Sequence, residues 1–233
     1  MKTVVYAATR NLYRNMAACA LSALRGGGID EVILLIEDDT FPYDLGDNVR
    51  LMNVSGQKWF GADGINYDNS WTYMVMMKCA LSKILPRKKN VLVLDCDTLV
   101  EGDLSDLWQL DMSDYYYAAV KQIRTTYPFP YDKMPEGFKY INAGVMFCNL
   151  EKLRKDKKDD EIIAALNTNK YQWIEQDCIS ELCQDGIMCL PSRWNRCDFT
   201  PADTQTIIRH FAANKSWTHT TFAKPYFEVI DND

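Results

Sequence analysis

The chain has 233 residues, of which 47% are apolar and 25% are charged, ordinary values for a globular α/β protein. Its formal net charge of −6 argues against a protein that works on nucleic acid or on an anionic membrane surface, because both recruit cationic proteins. The 8 cysteines include no CxxC pair, which argues against a zinc site and favours a reduced, cytoplasmic protein.

Strand and helix patterns alternate along the N-terminal half. Residues 3–8 form an apolar run that is too short for a signal peptide and predicts a first strand, followed by helical spacing as far as Gly26. The next patterns are two strands and a helix that stops at Pro86, at residues 31–36, 49–54 and 71–85. This order predicts an α/β fold with a mostly parallel, doubly wound sheet. We expect no integral membrane segment, because no stretch has the length of a spanning helix.

The segment from Asn90 to Val100 carries the most informative pattern. Its apolar run at residues 91–94 predicts a strand that is buried on both faces, and the run ends in Asp95 and Asp97. Two carboxylates at the end of a buried strand are costly to fold around unless a cation lies between them. Because ligands of open α/β sheets bind at that end, the sequence predicts a divalent metal that holds a phosphate-bearing substrate.

An Asp-x-Asp pair is by itself a weak signal. A second copy at Asp231 and Asp233 follows no strand, and we interpret it as part of a solvated tail. For Asp95 and Asp97, the alternative interpretation is a pair of carboxylates that cap a turn at the end of the strand.

The C-terminal half shows mixed patterns. Its strand-like runs lie at residues 115–120, 140–149, 187–190 and 207–211. Residues 176–183 predict a helix, residues 152–161 a solvated helix or turn, and residues 125–137 a loop rich in proline and aromatic side chains. With no clear linker in the chain, we expect one domain over residues 1–217 and a polar C-terminal tail over residues 218–233.

Four further segments line up with the acidic pair, in a fixed order along the chain. They read YINAGVMF at 140–147, EQD at 175–177, LPSRWN at 190–195 and RHFAANKSW at 209–217. With Asp95 and Asp97, these segments make the chain resemble glycosyltransferase family 8, the retaining GT-A enzymes that include glycogenin and bacterial lipopolysaccharide galactosyl- and glucosyltransferases. The resemblance covers residues 3–217 and implies a Rossmann-like GT-A fold for nucleotide-diphospho-sugar transfer.

The resemblance implies a metal site made of Asp95, Asp97 and His210. In the family, Mn²⁺ or another divalent cation such as Mg²⁺ bridges the two phosphates of a UDP-sugar, and Mn²⁺ accepts carboxylate, imidazole and phosphate ligands together. The alternative for His210, taken alone, is a core histidine at a strand end. Lys215 matches a lysine that touches the diphosphate, although Ala213 stands where the family usually has glycine; the alternative is a surface lysine.

The exit of the first strand resembles the family's nucleotide pocket. Ala8, Thr9 and Asn11 would hold uracil and ribose, and Tyr13 would stack on the base. The alternative is that Asn11 caps the first helix and Tyr13 packs beneath it.

The remaining matches concern the donor sugar and the reaction. Residues implied to bind the donor include Cys96 between the two acids, Asn142, Ala143 and Gly144. Three residues are implied to take part in catalysis, namely Lys78, which would contact phosphate and sugar, Gln176 near the anomeric carbon, and Glu175, where the family commonly has aspartate. For Glu175 the alternative is a capping carboxylate at the start of a helix.

These matches imply a retaining hexosyltransferase. It would move glucose or galactose from a UDP-sugar to a hydroxyl of a carbohydrate, a lipid-linked molecule or a protein. Because the amide of Gln176 is a poor nucleophile, we favour same-face substitution over double displacement through Glu175. The alternatives are a sugar nucleotidyltransferase, disfavoured because residues 8–13 contain no glycine, and a non-catalytic UDP-sugar-binding protein of the same fold.

Overall fold

The computed structural model describes residues 1–68, 71–123 and 135–232. The strands are Thr3–Ala7 (β1), Glu31–Ile36 (β2), Val49–Asn53 (β3), Asn90–Leu94 (β4), Thr98–Val100 (β5), Tyr117–Lys121 (β6), Ile141–Asn149 (β7), Ile187–Leu190 (β8) and Ile208–His210 (β9). The α-helices are Tyr13–Gly26 (α1), Met74–Met77 (α2), Leu81–Ile84 (α3), Leu150–Lys155 (α4), Lys158–Thr168 (α5), Ile174–Leu182 (α6) and Lys224–Ile230 (α7). Most of the loop predicted at residues 125–137 lies outside the described residues.

Within the described residues, seven strands form one sheet in the order β3-β2-β1-β4-β7-β6-β8. The strands β3, β2, β1 and β4 are parallel, β7 is antiparallel to both of its neighbours, and β8 is parallel to β6. The predicted α/β fold, with a mostly parallel central sheet flanked by helices, is therefore confirmed. Since β4 is the middle strand, its carboxyl end opens at the centre of the sheet edge, where ligands of such sheets bind.

The strand β4 is buried on both faces, as its apolar run predicts. Leu92 and Leu94 belong to the apolar cluster on the α1 side of the sheet, whereas Val91 and Val93 belong to the cluster on the side of α2 to α6. Each such fully buried side chain contributes ~1.5–3 kcal/mol. The packing therefore holds the end of β4, and with it Asp95, in a fixed position.

The helix predicted at residues 71–85 is divided into three short pieces. The helices α2 and α3 are separated by a 3₁₀ turn at Lys78–Ala80, and all three residues of that turn are buried. The turn begins at Lys78, the one lysine in the apolar stretch at residues 74–81, whose side chain has to reach polar partners. Within the described residues, no helix combines the length and the apolar character that a membrane crossing requires.

The prediction of a solvated C-terminal tail is wrong. Residues 224–230 form α7, which packs against α1, and Ala223, Phe227 and Ile230 are buried in the same apolar cluster as that helix. These three apolar residues stand at helical spacing within a stretch of polar composition, and that spacing was the available signal. An ion pair of 2.5 Å between Arg14 and Asp231 closes the contact.

Candidate active site and metal centre

The two acids that follow β4 meet an imidazole from the far end of the chain. The short strand β5, which the sequence did not predict, begins directly after Asp97 and pairs with β9 so that Thr98 lies opposite His210. Nε2 of His210 lies 3.2 Å from Oδ1 of Asp97 and 4.0 Å from Oδ2 of Asp95. One ligand atom from each residue lies within 4.8 Å of the others. The three predicted metal ligands are therefore brought together.

The charges of His210 and Asp97 depend on each other. Burial alone would lower the pKa of His210, but the Asp97 carboxylate outweighs burial and raises that pKa to about 10. Burial likewise opposes the charge of Asp97, and the imidazolium of His210 outweighs it and holds the pKa of Asp97 below its ordinary value. The imidazolium of His210 and the carboxylate of Asp97 thus stabilise each other's charged form.

The imidazole of His210 lies directly against the backbone of Gly144. A Cβ atom at residue 144 would overlap Cε1 of His210 and would lie 2.7 Å from Nδ1 and 2.8 Å from Nε2. Real Cβ atoms do not approach a ring this closely, so any side chain here displaces the histidine. Gly144 therefore leaves the space that the ring of His210 occupies, and the donor-sugar contact stays a prediction.

Lys78 is committed to two carboxylates inside the protein. Its Nζ donates to Oδ1 of Asp95 at 2.5 Å, to Oε1 of Glu175 at 2.8 Å and to the carbonyl oxygen of Ala143 at 3.4 Å. Burial alone would lower the pKa of Lys78, but the two carboxylates outweigh it and raise the pKa. Lys78 thus forms an ion pair with each of two acids, and its contact with phosphate and sugar stays a prediction.

Glu175 is a buried partner of Lys78 and not a helix cap. At the start of α6 it is Asp177 that accepts from the Trp173 N–H, at 2.8 Å, while the carboxylate of Glu175 accepts from Lys78. Burial raises the pKa of Glu175, and the attraction of Lys78 offsets this only in part. The preceding residue, Ile174, has a φ of 30°, a conformation that is strained for a β-branched side chain.

The amides of Asn142 and Gln176 are held by the backbone of β7. The carbonyl oxygen of the Asn142 side chain accepts from the Gly144 N–H at 3.1 Å, and that of Gln176 accepts from the Ala143 N–H at 3.0 Å. Gln122, which the sequence analysis missed, accepts from both side-chain amides, at 3.0 and 3.3 Å. Its signal was weak, because a single glutamine after a strand carries no pattern.

A cleft of about 300 Å³ gathers these groups. Its lining includes the polar side chains of Asp95, Asp97 and Gln176 and the aromatic side chains of Trp71 and Trp173. The two indole rings lie 4.9 Å apart. Polar groups that converge on an apolar wall are typical of small-molecule sites. Neither tryptophan was singled out in the sequence.

At the exit of β1, the side chain of Tyr13 is buried. Tyr13 is only 3% exposed, and its hydroxyl donates to Asp38 at 3.0 Å and accepts from the Glu37 N–H at 2.9 Å. The ring of Tyr13 lies against Phe41, as the packing interpretation predicts. Leu12, beside it, is 38% exposed and presents the apolar surface instead.

The other predicted residues of this pocket lie at the same edge of the sheet. Ala8 is buried at the end of β1, Thr9 donates to the side-chain oxygen of Asn11, and Asn11 is exposed. The helix α1 has no side-chain cap, so Asn11 does not cap it. Cys96, between the two acids, has its thiol 3.7 Å from the Ala7 carbonyl oxygen, so its side chain belongs to the core.

The loop after β9 keeps a glycine conformation without a glycine. Ala213 has a φ of 62°, in the left-handed region that costs an alanine ~1–2 kcal/mol. The exposed Lys215 follows two residues later. Ala213 thus adopts a conformation that glycine adopts more readily, and the contact of Lys215 with the diphosphate stays a prediction.

Comparison with known proteins agrees with this geometry. The family model described as glycosyl transferase family 8 matches residues 47–221. The chain belongs to glycosyltransferase family 8. The match includes Asp95, Asp97, Gln176 and His210, whereas the strand exit at residues 8–13 lies outside it.

Curated relatives of this family-8 chain include two bacterial proteins. It is 30% identical to general stress protein A of Bacillus subtilis over 111 residues, 46% of this chain and 39% of that protein. It is 27% identical to lipopolysaccharide 1,2-glucosyltransferase of Escherichia coli, again over 111 residues, 46% of this chain and 33% of that protein. The chain thus spans less than half of the length of these relatives.

A solved structure supports the fold of the family-8 chain. The galactosyltransferase LgtC, in complex with donor and acceptor sugar analogues, superposes with a TM-score of 0.73 at 20% identity. The superposition covers 99% of this chain and 95% of LgtC. At this identity the likeness establishes the GT-A fold, and the chemistry has to be argued from the residues of this chain.

Proposed function

We propose that this chain is a metal-dependent retaining glycosyltransferase that moves a hexose from a UDP-sugar to an acceptor hydroxyl. The observation that carries the proposal is the group of Asp95, Asp97 and His210 at the edge of a cleft lined by amides. Two carboxylates and an imidazole suit Mn²⁺ better than Mg²⁺, which prefers oxygen ligands alone. The relationship to a lipopolysaccharide glucosyltransferase supports a hexose as the transferred group.

The three ligands fit a divalent cation by both charge and placement. Their ligand atoms lie within 4.8 Å of one another, and Gly144 leaves space for the ring of His210. A bound cation would neutralise charge on the departing diphosphate. Lys78, through its 2.5 Å contact with Asp95, holds the orientation of that carboxylate.

The side chains of β7 and α6 would orient the sugar. Gln176 is held by the Ala143 N–H at 3.0 Å and by the Tyr140 hydroxyl at 2.9 Å, so its amide is fixed before any ligand arrives. Fixed amides that converge on one cleft hold a polar substrate with little reorganisation. Asn142, held in the same way by the Gly144 N–H, would bind a second hydroxyl group of the sugar.

The contacts of Glu175 support same-face substitution. A carboxylate that attacks the anomeric carbon must be free and charged, whereas that of Glu175 is 2.8 Å from Nζ of Lys78 and buried. Gln176 is a neutral amide and a poor nucleophile. We therefore favour a reaction in which the leaving phosphate oxygen takes the proton of the acceptor hydroxyl on the same face of the sugar.

Hydrolysis of the donor tests the proposal without knowledge of the acceptor. We expect slow release of UDP and free hexose from UDP-glucose or UDP-galactose in the presence of Mn²⁺. Asp97→Asn should abolish this release, whereas Asp231→Asn, which alters the second Asp-x-Asp copy outside the cleft, should leave it unchanged. Metal-dependent binding of UDP with no turnover of any UDP-hexose would instead indicate a non-catalytic binding protein.

A further inference from the structure

Asn195 is a buried amide that touches the metal-binding histidine on the side away from the acids. It lies directly after the 3₁₀ turn Ser192–Trp194, within the LPSRWN segment, and its solvent exposure is 0%. Its Oδ1 lies 3.0 Å from Nδ1 of His210, and its Nδ2 lies 2.8 Å from Oδ1 of Asn142. Asn195 thus contacts a candidate metal ligand and a candidate sugar-binding residue.

The backbone fixes the direction of every hydrogen bond in this chain of side chains. The N–H of Gly144 can only donate, and it donates to Oδ1 of Asn142 at 3.1 Å. The atom of Asn195 that faces the same Oδ1 must therefore be its NH₂ group. The carbonyl oxygen of Asn195 is then the atom that faces Nδ1 of His210, and it can only accept.

The tautomer of His210 follows from this direction. Because Oδ1 of Asn195 accepts, Nδ1 of His210 must carry a proton, so a neutral imidazole has its lone pair on Nε2. Nε2 is the nitrogen that faces Asp97 and Asp95, at 3.2 and 4.0 Å. The lone pair thus points to the place where the two carboxylates converge.

We infer that Asn195 is a positioning residue that holds His210 in the Nδ1–H tautomer and so supplies the cation with its nitrogen ligand. The inference rests on the proposed metal-dependent function of the same site. Partners of this kind change metal affinity by ~10–100-fold when they are removed, because the imidazole otherwise rotates or adopts the wrong tautomer. Asn195 also joins the metal ligand to Asn142, since the same amide donates to the sugar-side residue at 2.8 Å.

Mn²⁺ binding to the whole chain, measured without turnover, tests the inference. The concentration of free Mn²⁺ is followed by electron paramagnetic resonance, and electron spin echo modulation detects the ¹⁴N nucleus of a coordinated imidazole. In Asn195→Leu, which keeps the volume and loses the acceptor, we expect affinity to fall ~10–100-fold and the nitrogen modulation to disappear. In Asn195→Asp, which still accepts from Nδ1–H but loses the donor to Asn142, we expect the nitrogen modulation to persist, a rescue of the imidazole ligand by the conservative variant.

Thr200→Val is the matched control for a loosened loop. The Thr200 hydroxyl donates to the backbone oxygen of Asn195 at 2.7 Å, so the valine weakens the same loop and leaves the His210 contact intact. We expect this variant to bind Mn²⁺ as the wild type does. Where Asn195→Leu does not fold, Asn195→Ala is measured in its place.

The outcomes separate this inference from the proposed function. If the wild type binds Mn²⁺ with nitrogen modulation and Asn195→Leu does the same, the role of Asn195 is refuted and the metal site stands. If Thr200→Val loses as much affinity as Asn195→Leu, the effect belongs to the loop and the inference is refuted. If the wild type binds no Mn²⁺, both proposals fail together.

Discussion

Lys78, which is buried, and Asp95, which is half-buried, form an ion pair in which Nζ lies 2.5 Å from Oδ1, although Asp95 is also a candidate metal ligand. The two oxygens of the carboxylate are divided between two tasks. Oδ1 accepts from the lysine, while Oδ2 is the atom that faces Nε2 of His210 at 4.0 Å. The ammonium group of Lys78 thus holds the orientation of Asp95, and Oδ2 remains directed toward the candidate metal site.

Replacement of Lys78 by methionine should destabilise the protein. The change leaves the carboxylates of Asp95 and Glu175 near each other without a cation, and loss of one partner of a buried ion pair costs ~3–5 kcal/mol. Urea unfolding measures the effect. The control is Lys224→Met, which breaks an exposed pair with Glu228 and should cost no more than ~1 kcal/mol. If the free energy of unfolding fell equally in the two variants, the ion pairs of Lys78 would contribute no more to stability than an exposed pair does.

Replacement of Ala213 by glycine should stabilise the protein. The φ of 62° costs alanine ~1–2 kcal/mol, which glycine would not pay. Glycine also raises the entropy of the unfolded chain, which offsets ~0.4–1 kcal/mol, so the net gain in the free energy of unfolding is ~0.5–1 kcal/mol. Urea unfolding again measures it. Ala212→Gly is the matched control, because Ala212 is not among the described residues with positive φ. A glycine at residue 212 should destabilise the protein, since it raises the entropy of the unfolded chain and relieves no strain. Loss of stability in Ala213→Gly would contradict the assigned strain.

Replacement of Gly144 by alanine should weaken metal binding. The new Cβ would overlap the ring of His210, which has to leave its place beside the acids, so we expect Mn²⁺ affinity to fall at least ~10-fold. Isothermal titration calorimetry measures this affinity. Gly102→Ala is the control, since a Cβ there meets its nearest atom at an ordinary 3.7 Å. Unchanged affinity in Gly144→Ala would mean that His210 does not bind the cation from this position.

Mn²⁺ affinity should rise with pH. Without metal, the Asp97 carboxylate outweighs burial and raises the pKa of His210 to about 10, so at neutral pH the imidazole carries a proton that a cation must displace. One proton released per cation predicts a Kd that falls ~10-fold for each pH unit between about pH 6 and 8, far below that pKa. A pH series of Mn²⁺ titrations checks the slope. In His210→Ala the slope should disappear, and a flat profile in the wild type would refute the proton displacement.

Local patterns were enough to predict the frame of the fold. The apolar run of β4 predicted burial on both faces, and the alternation of strands and helices predicted the parallel half of the sheet, because period and hydrophobicity are properties of neighbouring residues. The acidic pair after β4 could be assigned a cation for the same reason, since an unpaired charge at a buried strand end is costly wherever the rest of the chain lies.

Contacts between distant residues were beyond the sequence. The pairing of β5 with β9, which places His210 against Asp97, joins segments more than 100 residues apart, and strands of 3 residues carry almost no periodic signal. The burial of Tyr13 was likewise undecided, because residues 12 and 13 are both apolar and only the packing of Phe41 selects which one turns inward.

The sequence by itself determined which chemical groups this protein brings to its site: two carboxylates at a strand end, an imidazole and a set of amides. The tertiary structure decided how those groups are paired, with Lys78 on Asp95 and Glu175, and Asn195 on His210. The physical reason is that the direction of a hydrogen bond and the partner of a buried charge depend on distances across the fold, which no local pattern encodes.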